Sequence, residues 1–434
     1  NYDGYLEYKA EKIGKESTIS QIVKLVVEAT NTKAPIAKLA DKVSGYFVPT
    51  VILIAFMVFI GYLILGQQFN QAINAFVSIL VVACPCSLGL ATPLAIVVSE
   101  GVCANKGILV KKSEILENAE KINTVVFDKT GTLTYGKLKI AKVINYSNLL
   151  EEDLLQIVGS LEAKSTHPIA KAFSEHFSKV EAEQFENIGG LGIKGIVQGK
   201  ELILGNSKIL NYSKIENLHQ EDEAKLAKEG NSIIYVVQNK EIIALIGVND
   251  ILRDNAKEII KNLNKNKIET IMLTGDNKET ANIIAEKIGI TNIIADVVPS
   301  QKSDIIKDLR AQGKRVMMCG DGINDSPALA NADIGVSVNS GTDIAMDSSD
   351  VILMKNDLKR ILDLINISKY TIKNIKQNLF WAFFYNSLMI PIAAGIFTTW
   401  RISINPMIAS FAMVISSLTV ILNSLRLKKL EKEI

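Results

Sequence analysis

The sequence is short of charge where a soluble fold could least spare it. Its 434 residues carry 48 lysines and arginines against 46 aspartates and glutamates, yet no charge falls between Lys42 and Glu100, from Gln377 to Trp400, or from Ile402 to Leu425. A bilayer is crossed by roughly 20 mainly apolar residues in a helix. The first stretch holds two such lengths, divided by Gln67-Gln68-Phe69-Asn70-Gln71, and the last two hold one each, so four spans are predicted. Cysteine is scarce too: four thiols, at spacings that fit no secreted disulfide framework, exclude a disulfide-stapled domain. Cys103 and Cys319 read as small buried core residues. The near-balance of charge, net +2, offers no basic excess, and no nucleic-acid partner is expected. The first 40 residues lack a basic start followed by an apolar core, so no cleavable signal peptide is expected.

The lysines orient the spans. Lys33, Lys38 and Lys42 precede the first, and Arg426, Lys428, Lys429 and Lys432 follow the last, whereas the short opposite loops carry only Arg401. The positive-inside rule therefore puts both termini and the long intervening segment in the cytosol. A bacterial plasma membrane is the expected host.

In that intervening segment short β-branched runs alternate with helical ones, the pattern of a parallel α/β sheet. NTVVFDKTGTLT (123–134) is an apolar strand that ends in Asp128 and then turns. TIMLTGD (270–276) ends in Thr274, Gly275 and Asp276, and RVMMCGDGIND (315–325) ends in Asp321 and Asp325. Ligands of open α/β sheets gather at the carboxyl ends of the strands, so these groups should meet at one edge. The set fits phosphoryl transfer through an aspartyl phosphate. A carboxylate attacks a γ-phosphoryl group only when the surrounding negative charge is neutralised, by Mg²⁺ on oxygen ligands and by a lysine such as Lys302 in PSQKSDIIKDL.

DKTGT, TGD and GDGIND, in this order around a long insert, resemble the signature of the P-type ATPases, whose phosphorylation domain is similar to haloacid dehalogenase-like hydrolases. The resemblance implies that Asp128 is phosphorylated, that Lys129, Thr130, Thr274, Gly275, Asp276 and Asn324 serve the catalytic centre with Lys302, and that Asp128, Thr130, Asp321 and Asp325 hold Mg²⁺. The insert is expected to be a second domain over 138–246. Its Gly190-Leu191-Gly192-Ile193-Lys194-Gly195 matches G-x-G-x-x-G without the strand-to-helix context a dinucleotide site requires. Together with Glu162, His167-Pro168 and Gly205-Asn206, however, it resembles the nucleotide-binding domain of the heavy-metal, type IB, branch. The implied roles are Glu162 and His167 orienting ATP, with Gly190, Gly192, Ile193, Gly205 and Asn206 admitting adenine and ribose to the backbone. Thr166 stands where the branch has Glu.

In VVACPCSLGL (81–90) a proline lies inside a span. Pro85 removes a backbone hydrogen bond and bends the helix, a break tolerated where it lines a site. Cys84 and Cys86 at the break offer soft thiolates suited to Cu⁺, Ag⁺ or Zn²⁺, or else are merely small packing residues. Tyr385-Asn386 in the third span and Met413 with Ser416-Ser417 in the fourth put polar and sulfur atoms at membrane depth. With the cysteine pair they resemble the Cu⁺-transporting subgroup, which implies Cys84, Cys86, Tyr385, Asn386, Met413 and Ser417 as cargo ligands.

The implied molecule is a multidomain membrane protein: four transmembrane α-helices plus an α/β haloacid dehalogenase-like phosphorylation domain with an inserted α+β nucleotide-binding domain. It would export Cu⁺ or Ag⁺ using ATP and Mg²⁺, with a cytosolic copper chaperone as partner. A zinc/cadmium pump and a non-pumping membrane metal-binding protein are the alternative readings. The expected segments are 1–45 actuator remnant and linker helix, 46–102 first membrane pair, 103–137 and 247–368 phosphorylation domain, 138–246 nucleotide-binding domain, 369–427 second membrane pair and 428–434 tail. The Thr-Gly-Glu actuator loop and upstream spans of the family are not found, so the chain reads as N-terminally truncated and incompetent for transport alone.

Overall fold

The computed structural model describes residues 35–84, 86–165, 168–176, 182–189, 191–276, 278–321, 325–338, 348–354, 357–397 and 405–433. The expected actuator remnant up to residue 34, and with it Pro85, His167, Gly190 and Asn324, lies outside the described residues. The chain divides at Ile122/Asn123 and Ser348/Ser349 into two compact units.

The first unit is helical. Helices Pro35–Ile64, Phe69–Val82, Cys86–Asn105, Lys359–Ala393 and Pro406–Leu425 pack against one another, joined by an antiparallel pairing of Ile108–Val110 with Val351–Leu353. Among the described residues three stretches are long and apolar enough to cross a bilayer: Lys42–Ile64, Phe69–Asn105 and Pro406–Lys432. The other expected span, Gln377 to Trp400, falls largely on Lys359–Ala393, which is not among them. That helix nevertheless packs along both Cys86–Asn105 and Pro406–Leu425. Small residues stand at the closest approaches, with Ala55, Ala91, Ala95, Ala382 and Ala409 almost fully buried, as expected where helices associate without a hydrophobic driving force.

Amides complete the packing. Asn378 Nδ2 donates to the Ala91 carbonyl at 3.1 Å and lies 2.9 Å from Ser424 Oγ, while its Oδ1 accepts from Asn423 Nδ2 at 2.8 Å. Asn374 Nδ2 donates to the Asn423 carbonyl at 2.8 Å. One neutral network thus joins three helices.

The second unit is built on a parallel sheet. Its strands run in the order Ile334–Ser337, Val316–Gly320, Thr124–Asp128, Glu269–Leu273 and Asn292–Ile294. The central strand, TVVFD, is buried along its whole length, which is why its apolar run shows no alternation. Inserted after it is a six-stranded antiparallel sheet in the order Thr134–Asn145, Glu241–Leu252, Ser232–Gln238, Lys200–Gly205, Gly192–Val197 and Glu183–Ile188. The chain enters the insert on Thr134–Asn145 and leaves it on the strand paired to it, Glu241–Leu252. Helix Glu151–Glu162 covers one face, burying Leu154, Val158 and Leu161 against Leu202, Leu204 and Ile246. The G-x-G-x-x-G stretch opens an antiparallel strand and not a helix, so the dinucleotide fold is excluded here.

Candidate functional site

The parallel register brings Asp128 level with Leu273, so the carboxyl ends of the three central strands present Asp128, Thr274 and Asp321 at one edge. Asp128 is buried, and so are Thr274 and Asp325. Lys302, from helix Pro299–Ala311, reaches into this edge with Nζ 2.6 Å from Asp128 Oδ1 and 2.7 Å from Asp325 Oδ1. Lys129 pairs with Asp276 at 2.5 Å, and the Asp276 amide donates to Thr274 Oγ1 at 3.1 Å. Thr130 is exposed on the turn after Asp128, and Asp321 is half-buried.

Glycine is demanded twice. Gly131 has φ +75°, and a Cβ there would press against Asp321 at 3.3 Å. At Gly320 a Cβ would lie 2.6 Å from Asp325 Oδ2, so only glycine lets that carboxylate fold back over the strand end.

The centre carries more negative than positive charge. Burial, then the nearby Asp325 and Asp321, raise the Asp128 carboxyl from its ordinary value to about 7 against the pull of Lys302. Burial alone would lower the Lys302 ammonium, but Asp128 and Asp325 outweigh it and hold the lysine charged. Asp325 Oδ2 is buried with no hydrogen-bond partner among the described residues, an acceptor suited to a cation. Among the described residues no three carboxylate, thiol or imidazole groups surround one point.

The loop behind Asp128 is clamped by residues the sequence reading passed over. Arg253 Nε donates to the Thr132 carbonyl at 2.6 Å and the Thr134 carbonyl at 3.1 Å, and Nη2 donates to the Gly131 carbonyl at 2.9 Å. Thr134 Oγ1 lies 2.5 Å from Asp250 Oδ2. An acid and an arginine three residues apart at the end of an apolar strand were the available signal.

In the insert a pocket of about 470 Å³ is lined by Glu162, Gly192, Ile193, Gly205 and Asn206, which the sequence grouped, and also by Glu223, Asn231, Tyr235, Glu279 and Thr280, which it did not. Glu162 ends its helix buried, and burial pushes its carboxyl up to about 7. Gly192 and Gly205 face each other across two strands. A Cβ on Gly192 would lie 2.0 Å from the Leu204 carbonyl oxygen, and one on Gly205 would lie 2.4 Å from that of Leu191. The strands' own contact therefore requires both glycines, apart from any ligand.

Near the cysteine pair, helix Phe69–Val82 ends and a new one begins at Cys86, the break expected of Pro85. Asn386 Nδ2 donates to the Cys84 carbonyl at 3.4 Å, serving a backbone acceptor at the break. Cys84 is half-buried, Cys86 exposed, and their sulfurs are joined in a disulfide; metal ligation needs both as thiolates. Ser416 is buried with Oγ 3.2 Å from Ser87 Oγ, while Met413 and Ser417 are half-buried. Tyr385 is half-buried against Trp381 and Phe384.

Residues 122–333 match the haloacid dehalogenase-like hydrolase family. The chain is 42% identical over 442 residues to the copper-exporting P-type ATPase of Bacillus subtilis (strain 168), covering 99% of this chain and 54% of that protein. It is 41% identical over 437 residues to the silver exporting P-type ATPase of Salmonella typhimurium, covering 99% and 53%. Among solved structures, a zinc-transporting PIB-type ATPase in its E2.Pi state superposes with a TM-score of 0.79 at 29% identity, over 95% of this chain and 68% of that one. The chain thus spans about half the length of the curated relatives it matches.

Proposed function

The chain belongs to the heavy-metal (type IB) branch of the P-type ATPases, and on that premise we propose that it drives export of Cu⁺ or Ag⁺ across a membrane by ATP hydrolysis through a phosphorylated Asp128. The observation that carries the reading is the convergence of Asp128, Lys302 and Asp325 at one buried strand edge.

ATP binds with its base and ribose in the pocket beside Glu162 and Asn206 and its phosphates toward Asp128. Lys302 holds Asp128 Oδ1, which leaves Oδ2 to attack the γ-phosphorus as the bond to the ADP oxygen breaks. Lys129, Lys302 and the Thr274 hydroxyl meet the oxygens of the transferring group. Asp128, Asp321, Asp325 and Thr130 would hold Mg²⁺, which supplies charge neutralisation when bound. Phosphorylation then shifts the membrane helices between two states of different access for Cys84 and Cys86, with Tyr385, Asn386, Met413 and Ser417 completing the cargo site. A cytosolic copper chaperone delivers the ion, and the membrane is a bacterial plasma membrane with both termini and the catalytic unit in the cytosol.

Labelling with γ-³²P-ATP tests the chemistry. An acid-stable, hydroxylamine-labile label is expected, absent in Asp128→Asn; a label that persists in that variant removes the assignment. A zinc cargo is the second reading, favoured by the zinc-transporting structural neighbour. Comparing Cu⁺, Ag⁺ and Zn²⁺ stimulation of ATP hydrolysis under reducing conditions separates the two.

A further inference from the structure

We propose that Glu223 reads the ribose of the nucleotide, accepting hydrogen bonds from the 2′- and 3′-hydroxyls and selecting ribonucleotides over deoxyribonucleotides. The inference deepens the nucleotide reading above and rests on it. Its starting point is the charge of the pocket. The described residues lining it include the carboxylates Glu162, Glu223 and Glu279 and no lysine or arginine. Such a wall repels a triphosphate, so the space serves the uncharged end of the ligand.

The three acids differ in how they are held. Glu162 is buried and carries its proton up to about pH 7, which suits it to an apolar base. Glu279 is exposed on the first turn of its helix. Glu223 is fixed by neutral donors. Asn217 Nδ2 donates to Glu223 Oε2 at 2.6 Å, and the Tyr235 hydroxyl also hydrogen-bonds this carboxylate.

Both supports are themselves fixed. Asn217 Oδ1 accepts from the His219 amide at 3.0 Å, which turns the Asn217 nitrogen toward Glu223. Tyr235 is buried in strand Ser232–Gln238. A carboxylate offers about four lone-pair positions, and two are taken from behind. The remaining pair faces a vicinal diol, whose two hydroxyls donate together. An acidic side chain on ribose hydroxyls is a recurrent solution in nucleotide sites. A site built to pair a hydroxyl discriminates strongly against the analogue that lacks it.

Equilibrium binding of ATP, 2′-deoxyATP, 3′-deoxyATP and ITP to the whole chain in nanodiscs tests this, with Glu223→Ala and Glu223→Gln beside the wild type and thermal unfolding as the check on folding. The wild type is expected to bind ATP roughly tenfold tighter than either deoxy analogue, the scale of a charge-assisted hydrogen bond. Glu223→Ala, which removes both hydrogen bonds from ATP and the one that each deoxy analogue keeps, should weaken ATP by about the square of that factor, each analogue by about that factor, and bring the ratio near one. Glu223→Gln, which keeps one acceptor, should fall between. Equal wild-type binding of ATP and its deoxy analogues, or an unchanged ratio in both variants, overturns the proposal. Loss of preference for ATP over ITP with the deoxy ratio intact would assign Glu223 to the base and overturn it equally. Failure of the wild type to bind any of the four defeats the nucleotide reading itself, a different result from binding without ribose selection.

Discussion

The catalytic unit and the membrane unit both bury polar side chains, but of different kinds. Around Asp128 the buried groups are ions, the carboxylates of Asp128 and Asp325 and the ammonium groups of Lys129 and Lys302, with Lys302 contacts of 2.6 and 2.7 Å. Where the membrane helices cross they are mainly amides and hydroxyls, Asn374, Asn378, Asn423, Ser424, and Ser416 on Ser87, while the buried carboxylates of that unit, Glu100 and Asp363, lie near the ends of their helices. The contrast follows from what surrounds each. On the function proposed above, a charge cluster that receives a polyphosphate and a divalent ion needs its excess negative charge and its lysines in place beforehand, whereas hydrocarbon punishes any ion left unpaired. Neutral donors satisfy the membrane backbone at modest energies and leave the helices free to repack.

Four changes bear on that contrast, from the largest expected effect to the smallest. Lys302→Met removes the cation that bridges Asp128 and Asp325. Phosphoenzyme formation should fall about 100-fold or more, and stability by about 3–5 kcal/mol, the penalty for breaking a buried ionic contact from one side. Phosphorylation assays with thermal unfolding measure both. Gly192→Ala places a methyl 2.0 Å from the Leu204 carbonyl and should destabilise the insert by up to about 3 kcal/mol, with nucleotide binding lost alongside.

The third concerns pH. Glu162 titrates near 7 when folded, above its ordinary 4.5, so the folded state keeps a proton that the unfolded chain releases. The resulting stability is fully present below about pH 4.5 and is lost as pH rises through 7, by at most about 3 kcal/mol. Glu162→Gln should flatten that slope in unfolding measurements between pH 5 and 8. Asn378→Leu is the smallest. It should destabilise the helix bundle by only about 1 kcal/mol, the scale measured for hydrogen bonds between membrane helices. A loss as large as that of Lys302→Met would erase the distinction between the two regions.

Much of the catalytic centre was legible because its residues lie at the ends of three continuous apolar strands, and strand ends are readable one at a time. Asp128, Thr274, Asp321 and Asp325 share an edge for that reason. The nucleotide pocket was only half legible. Glu162, Gly192 and Asn206 sit in recognisable strings, but Glu223, Tyr235 and Thr280 reach the same cavity only through the order of the antiparallel sheet and two helices beside it, which no local pattern encodes. Gly192 and Gly205 stood out in the sequence, yet their reason is the strand opposite, invisible until the register is known. In the membrane unit the charge-free run marked where apolarity begins and not where the helix begins. Lys359–Ala393 starts well before Gln377, and the first helix begins at Pro35. Loss of charge reports the edge of a solvent, whereas a helix continues until its hydrogen bonding is interrupted.

Arg253 closes the last strand of the insert while its guanidinium sits on the carbonyls of the turn that follows Asp128. The inserted lobe therefore has no slack at its root. On the function proposed above, a nucleotide gripped many residues away in sequence would bear on the loop that presents Asp128 through this guanidinium, with no messenger between them.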